Sequence, residues 1–267
     1  MDKVMISVAP VAATDKLIVP EKIAKDVLNC RKAGAAMVHL HVRAKDGSLT
    51  PDTTLLEETL RLIRKDSDII IEVSTGGVSN LNIKERCAPL YLDMVEACSL
   101  NVGSTNLGKA VYCNPIDDVE YCVQEIIKTK KYPEVEAFEI GHTYTMEKLM
   151  AKYNFVDPVL FSVVLGHEGE APATPKALAT MLDMIPRGAI WGITHANRRD
   201  FGIIAAAVGM GAKTVRIGFE DSNYLDAHTQ VETNEPLVAK TARLLAAMDK
   251  EPMTPAEARK LFKLPAL

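Results

Sequence analysis

A chain of 267 residues with 48% hydrophobic side chains can bury a large core, as one barrel-type α/β domain or as two smaller ones. Its 31 basic and 35 acidic residues leave a net charge of −4 without a basic stripe, which argues against nucleic-acid or membrane-surface partners. "MDKVMISVAP" lacks a signal-peptide core, no apolar run would cross a bilayer, and five cysteines without a C-x-x-C pair read as thiols of a reducing cytoplasm.

The first strand is expected at 4–10, followed by a helix over "PEKIAKDVLNCRKAG" that Pro20 opens and Gly34 closes. Further strands are expected at 37–42, 68–75, 94–100, 134–140, 160–166, 189–195 and 214–220. All are short apolar runs bounded by polar residues, Gly or Pro, the pattern of strands buried on both faces. Helical patterns lie between them. "TPKALATMLDMIPRG" opens with a Thr174 cap and Pro175, and "DFGIIAAAVGMGA" and "NEPLVAKTARLLAAMDK" follow the last two strands. "NLNIKERCAPLYLD" is a short connection, and 101–133 holds a loop before its helix.

Eight strands alternating with helices indicate a (β/α)8 TIM barrel, with residues 1–267 as a single barrel domain. A doubly wound open sheet is the alternative. "GMGA" does not favour it, because it follows a helix and precedes a strand, the wrong order for a dinucleotide loop.

Barrel chemistry sits at the C-terminal ends of strands. There the chain places His39, His41 and Arg43; Ser74 and Thr75 before Gly76; Asn101, Ser104 and Asn106; Glu136, Glu139 and His142; His167 and Glu168; "THANRR"; and Arg216, Glu220 and Asp221. Polar groups inside a barrel are costly unless paired or bound to an ion. His39 and His41 at strand spacing share a face and supply two imidazoles. A catalytic zinc site commonly adds one carboxylate, and Glu220 is the best-placed one. Each histidine alone also reads as a satisfied core residue. Arg216 and Glu220, four apart, are expected on one strand face, with Asp221 at the loop as a proton acceptor; a structural ion pair is the plainer reading. "STGG" is either a tight turn or a hydroxyl-and-amide cradle for a carboxylate or oxyanion.

"HLHVRAKDG", "EVSTGG", "LNVGSTN", "VRIGFEDS" and "TPAEARKLF", with "LGHEGEAPATPKALATMLDMIP" and "TNEPLVAKTARLLA", together resemble the β-keto acid cleavage enzymes. The 3-keto-5-aminohexanoate cleavage enzyme of lysine fermentation is their best-known type. The resemblance runs over essentially the whole chain. It implies a zinc-dependent barrel enzyme that condenses a β-keto acid with acetyl-CoA and releases acetoacetate and a new acyl-CoA. By position it implies Zn²⁺ on His39, His41 and Glu220, with Co²⁺, Mn²⁺ or Fe²⁺ as substitutes. It implies Asp221 as the base that deprotonates the acetyl-CoA methyl group, paired with Arg216. Ser74, Thr75, Gly76, Ser104, Asn106, Glu139 and Arg198 fall at substrate-binding places, and a cytoplasmic homotetramer is implied, with a dimer equally open. The C-terminal "LFKLPAL" offers an apolar segment for a neighbour.

The chain departs from the family in its loops. Members acting on the amino substrate carry a glutamate where Thr14 stands, and the loop is shortened here to "VAATDKLIVP". "GHEGEAP" replaces a Val-Pro-Gly-Gly sequence, and "THANRR" replaces a Gly-Ile-Gly-Arg sequence. A non-cationic substrate tail is therefore expected, with Lys16 or His142 favouring a neutral or acidic one. The rival readings are another divalent-metal aldolase or hydrolase working without CoA, and a metal-bound barrel without catalysis.

Overall fold

The computed structural model describes residues 2–267. Eight parallel strands, β1 (Asp2–Val8), β2 (Met37–Leu40), β3 (Ile70–Val73), β4 (Ala97–Asn101), β7 (Tyr132–Ala137), β8 (Leu160–Leu165), β9 (Ile190–His195) and β10 (Thr214–Ile217), pair in that order. The pairing of β10 with β1 closes them into a (β/α)8 barrel. The open-sheet alternative is thereby excluded.

The connecting helices are α1 (Pro20–Ala33), α2 (Thr54–Asp66), the single turn α3 (Ile83–Arg86), α4 (Ile116–Thr129), α5 (Ile140–Lys152), α6 (Pro175–Asp183), α7 (Gly202–Gly209) and α8 (Glu235–Ala247). Pro20 and Pro175 stand in the first turns of α1 and α6, and the Thr174 hydroxyl accepts the Ala177 N–H at 3.2 Å. Their buried faces join the barrel's hydrophobic core, which includes Val4, Ile6, Val38, Ile71, Val135, Phe161 and Ile193. No described helix is long and apolar enough to cross a membrane.

The strands stop earlier than the apolar runs suggest. β2 ends at Leu40 and β10 at Ile217, so His41 and Glu220 leave the barrel in loops. Gly218 causes the second break. Its φ is 142°, and a Cβ there would collide with the Ala9 carbonyl of the neighbouring segment.

Two features escaped the sequence reading because each strand has only three residues. One is an antiparallel hairpin, β5 (Thr105–Leu107) and β6 (Ala110–Tyr112), standing on the catalytic end. The other is β11 (Lys250–Pro252), which pairs with β1 and leads into α9 (Pro255–Phe262). Helix α9 plugs the opposite end. Phe262 is 1% exposed with its ring 4.9 Å from Tyr132, and Arg259 binds Glu96 at 2.6 Å. The segment offered for a neighbouring subunit is thus partly consumed by the chain's own barrel.

Candidate active site

The hairpin and the β2–α2 and β3–α3 loops enclose a cavity of about 1030 Å³ at the C-terminal ends of the strands. Its floor holds two adjoining constellations.

The first is a corner whose groups could hold a metal ion. The ligand atoms of His39, His41 and Glu220 lie within 4.8 Å of one another. Glu220 Oε1 is 3.3 Å from His41 Nε2 and 3.8 Å from His39 Nε2. His39 is aimed by its neighbour: β2 and β3 pair with His39 opposite Glu72, and Nδ1 meets Glu72 Oε2 at 2.9 Å. Nε2 is left buried without a hydrogen-bond partner. A divalent ion fits this arrangement, since a lone pair, a second imidazole and a carboxylate converge with one side open to the cavity. Burial alone would raise the Glu220 pKa, but His41, His39 and Arg216 together hold it well below the ordinary range. Burial and then Glu136 push Glu72 up to about 8, and burial and then Glu72 push Glu134 up to about 8.

The second constellation centres on Arg216, which binds three carboxylates. Its Nη1 meets Glu136 at 2.7 Å, its Nη2 meets Asp221 at 2.8 Å and Glu220 at 3.4 Å, and its Nε meets Asp221 at 3.2 Å. Burial opposes the cation, yet Asp221, Glu220 and Glu136 hold its pKa well above the ordinary value. Arg216 and Glu220 do meet, but not as residues of one strand face. The break at Gly218 folds the chain back, with Gly218 O accepting the N–H groups of Asp221 and Ser222 at 3.1 and 2.8 Å. Asp221 is buried against the guanidinium, while Arg216, Glu136 and Glu220 line the cavity.

The "STGG" turn divides. Ser74 lines the cavity and its Oγ accepts the Gly76 N–H at 3.2 Å. Thr75 is 1% exposed and faces away from the cavity, donating to Ser99 O at 2.7 Å while its carbonyl accepts from Arg86 Nε at 2.8 Å. Gly76 makes room for Tyr112, whose hydroxyl a Cβ would strike. Thr75 and Gly76 therefore hold the turn in place, and Ser74 and Gly77 face the cavity.

Other expected contacts lie elsewhere. Ser104 and Asn106 are exposed on the hairpin and do not line the cavity: Ser104 Oγ accepts the Asn114 N–H at 2.7 Å, and Asn106 packs on Gly169. Glu139 stands at the N-cap position of α5, without a side-chain capping bond, and faces an outer groove with Ile140 and Pro172. The carboxylate of that strand in the cavity is Glu136, because alternation carries Glu134 and Glu136 inward only until β7 ends at Ala137. Thr14 is exposed, and it is Ala13 and Lys16 of its loop that line the cavity. Asp15 accepts the Ala12 N–H at 3.0 Å, closing the shortened loop. His142 is buried with Nδ1 taking the Phe138 N–H at 3.2 Å, and it does not line the cavity. Arg198 is 1% exposed in the β9–α7 loop and does not line the cavity, its guanidinium 4.3 Å over the Phe201 ring. Burial pushes its pKa down to about 10, against the pull of Asp221 and Asp200.

The sequence reading named Glu136 and His167 among the polar strand ends without giving either a particular role, and did not name Glu72. Glu136 and His167 line the cavity, and Glu72 lies behind His39. Inward alternation on β3 and β7 was the available signal for the two glutamates.

Residues 3–264 match a family model described as beta-keto acid cleavage enzyme. A 3-keto-5-aminohexanoate cleavage enzyme of Fusobacterium nucleatum is 33% identical over 246 residues, covering 91% of this chain and 89% of that protein. A 3-oxoadipate:acetyl-CoA acetyltransferase of Cupriavidus necator is 30% identical over 240 residues, covering 88% and 84%. Among solved structures, the ternary complex of ObcA with a C4-CoA adduct and oxalate superposes with a TM-score of 0.75 at 18% identity, over 92% of this chain and 67% of that one. That last likeness is one of fold.

Proposed function

Because the chain belongs to the β-keto acid cleavage enzyme family, we propose that it exchanges acyl groups between a β-keto acid and acetyl-CoA, releasing acetoacetate and a new acyl-CoA. One observation carries this reading: a two-histidine, one-carboxylate corner and an arginine-bound carboxylate cluster share one cavity through Glu220 and Arg216. The acetyl-CoA requirement follows relatives named for acetyl-CoA chemistry.

His39, His41 and Glu220 would hold the ion, whose zinc identity belongs to this proposal. A divalent cation there would act as a Lewis acid on the ketone of the keto acid and anchor its carboxylate.

Carbon balance decides which proton the base removes. An acetyl-CoA carbanion adding to the ketone would put two CH₂ arms on one carbon, and cleavage would then yield acetate and a keto-acyl-CoA. Acetoacetate requires the reverse polarity, so the methyl-group assignment made from the family resemblance is replaced. Asp221 takes a proton from C2 of the keto acid, and that carbon bonds to the thioester carbon of acetyl-CoA. The thiolate passes from the acetyl carbon to the neighbouring ketone carbon. Cleavage of the bond between that carbon and C2 then frees the new acyl-CoA, and the electron pair left on C2 takes a proton to give acetoacetate.

Arg216 places Asp221 by two hydrogen bonds. Glu136 faces the cavity directly and is the competing base, a second reading that its exposure to the cavity favours. Ser74, which lines the cavity, would hold the keto acid's polar end through Oγ.

The tail is read as uncharged or anionic. The cavity's carboxylates are committed: Glu136 to Arg216 and Asn101, Glu220 to His41 and Arg216, Asp46 to Ser48. An ammonium would meet Lys16 and would find only Asp46 without a cationic partner.

The test is a panel of β-keto acids offered with acetyl-CoA to the zinc-loaded protein, scored by mass spectrometry. Acetoacetate and a new acyl-CoA should form together. Keto acid consumed without acetyl-CoA would establish the aldolase or hydrolase reading instead.

A further inference from the structure

His167 leaves the barrel two residues after β8. In the closed order of eight strands, β8 lies four places from β2, so His167 rises on the wall opposite His39 and His41. It lines the cavity with Arg216, Glu136 and Glu220. Phe138 backs its ring, the centroids 6.3 Å apart. Neither ring nitrogen has a hydrogen-bond partner among the described residues, whereas His41 is engaged by Glu220. Burial lowers its pKa, against the pull of Asp221. The neutral ring so favoured carries one N–H and one lone pair.

The exchange chemistry requires a donor on that wall. When C2 of the keto acid bonds to the thioester carbon, the carbonyl π pair moves onto the acetyl oxygen and leaves it negative. The ligands for a cation are on the far side, nearest the keto acid. The charged and phenolic donors of the cavity are occupied or turned elsewhere. Arg216 is shared among three carboxylates, and Arg43 donates to Gly47 O at 2.7 Å. The Tyr112 hydroxyl is turned to Arg86 and Gly76, and Lys16 sits on the β1–α1 loop beside the ligand corner.

We propose that His167 is a catalytic residue of this exchange, its ring N–H donating to the acetyl thioester oxygen as the new carbon–carbon bond forms. No proton changes hands. The hydrogen bond strengthens as the oxygen gains charge, and it relaxes when the thiolate leaves and the carbonyl re-forms. The proposal rests on the exchange reading above.

Two measurements on the metal-loaded full chain separate the two. With a turned-over keto acid, His167→Ala should lower kcat by about 10²–10³-fold, the range for a lost oxyanion donor, with little change in KM. His167→Gln, which keeps an N–H, should recover part of the loss. With bound [1-¹³C]acetyl-CoA, the carbonyl infrared band should stand at lower frequency in the parent than in His167→Ala, whether or not any acid reacts. Equal bands in parent and variant, an unchanged kcat, or a Gln variant as slow as the Ala variant would overturn the assignment. A shifted band without acyl-CoA formation from any acid would overturn the exchange reading and leave the contact standing.

Discussion

Glu72 Oε2 lies 2.9 Å from His39 Nδ1, with both side chains 1% exposed, and that contact sets which nitrogen of His39 faces Glu220. The ring is held by its second-layer partner before any ion arrives. Glu72→Ala should weaken zinc binding about 10–100-fold, read by competition with a chromogenic chelator. Glu134→Gln serves as the control, a buried carboxyl beside Glu72 that does not touch His39. Equal losses in both variants would show that the effect is one of packing.

Asp221 and Glu136 share Arg216 but differ in their view of the cavity. Asp221→Asn should abolish deuterium uptake at C2 of the keto acid, a fall of about 10²–10⁴-fold, while zinc still binds. Glu136→Gln should slow uptake less. The opposite ranking would make Glu136 the base.

Gly218 turns the chain between Arg216 and Glu220 at a φ of 142°. Gly218→Ala should cost about 1–3 kcal/mol for the backbone alone, with more from the collision with Ala9. Because Glu220 is carried by that turn, zinc affinity should fall along with the melting temperature. A destabilised variant with parental zinc affinity would contradict the coupling.

Glu170 is half-buried in the β8–α6 loop, its two carboxyl oxygens shielded from solvent and without a hydrogen bond, and burial and then Glu139 push its pKa up to about 8. A raised folded-state pKa gives stability that is present below the unfolded value of 4.5 and is lost as pH rises through about 8. Glu170→Gln should therefore match the parent near pH 4 and be more stable than it at pH 9, by denaturant unfolding. Parallel stability curves would refute it.

Lys16 lines the cavity from the shortened first loop. Lys16→Glu should raise kcat/KM for an amino-bearing β-keto acid severalfold relative to an uncharged one of equal length. A parent that already favours the amino acid would sink the reading of the tail.

The barrel was legible in the sequence because each strand is buried on both faces and shows as an apolar run between helical patterns. The three groups of the candidate metal corner were legible for a related reason. His39 and His41 are two apart on either side of a strand end, and Glu220 follows Arg216 in a run that one closing strand explains. The contacts between sites were not. Glu136 rather than Glu139 reaches the cavity because β7 stops at Ala137, and a strand's end is set by its neighbours' pairing. Ser104, Asn106 and Thr14 sit on loops whose paths depend on a three-residue hairpin and a closed turn. Periodicity within an element is a property of local covalent geometry, so the amino-acid order carries it. Which side chains converge across the barrel mouth, such as His167 opposite His39, follows from closure of β10 on β1, which only the assembled structure decides.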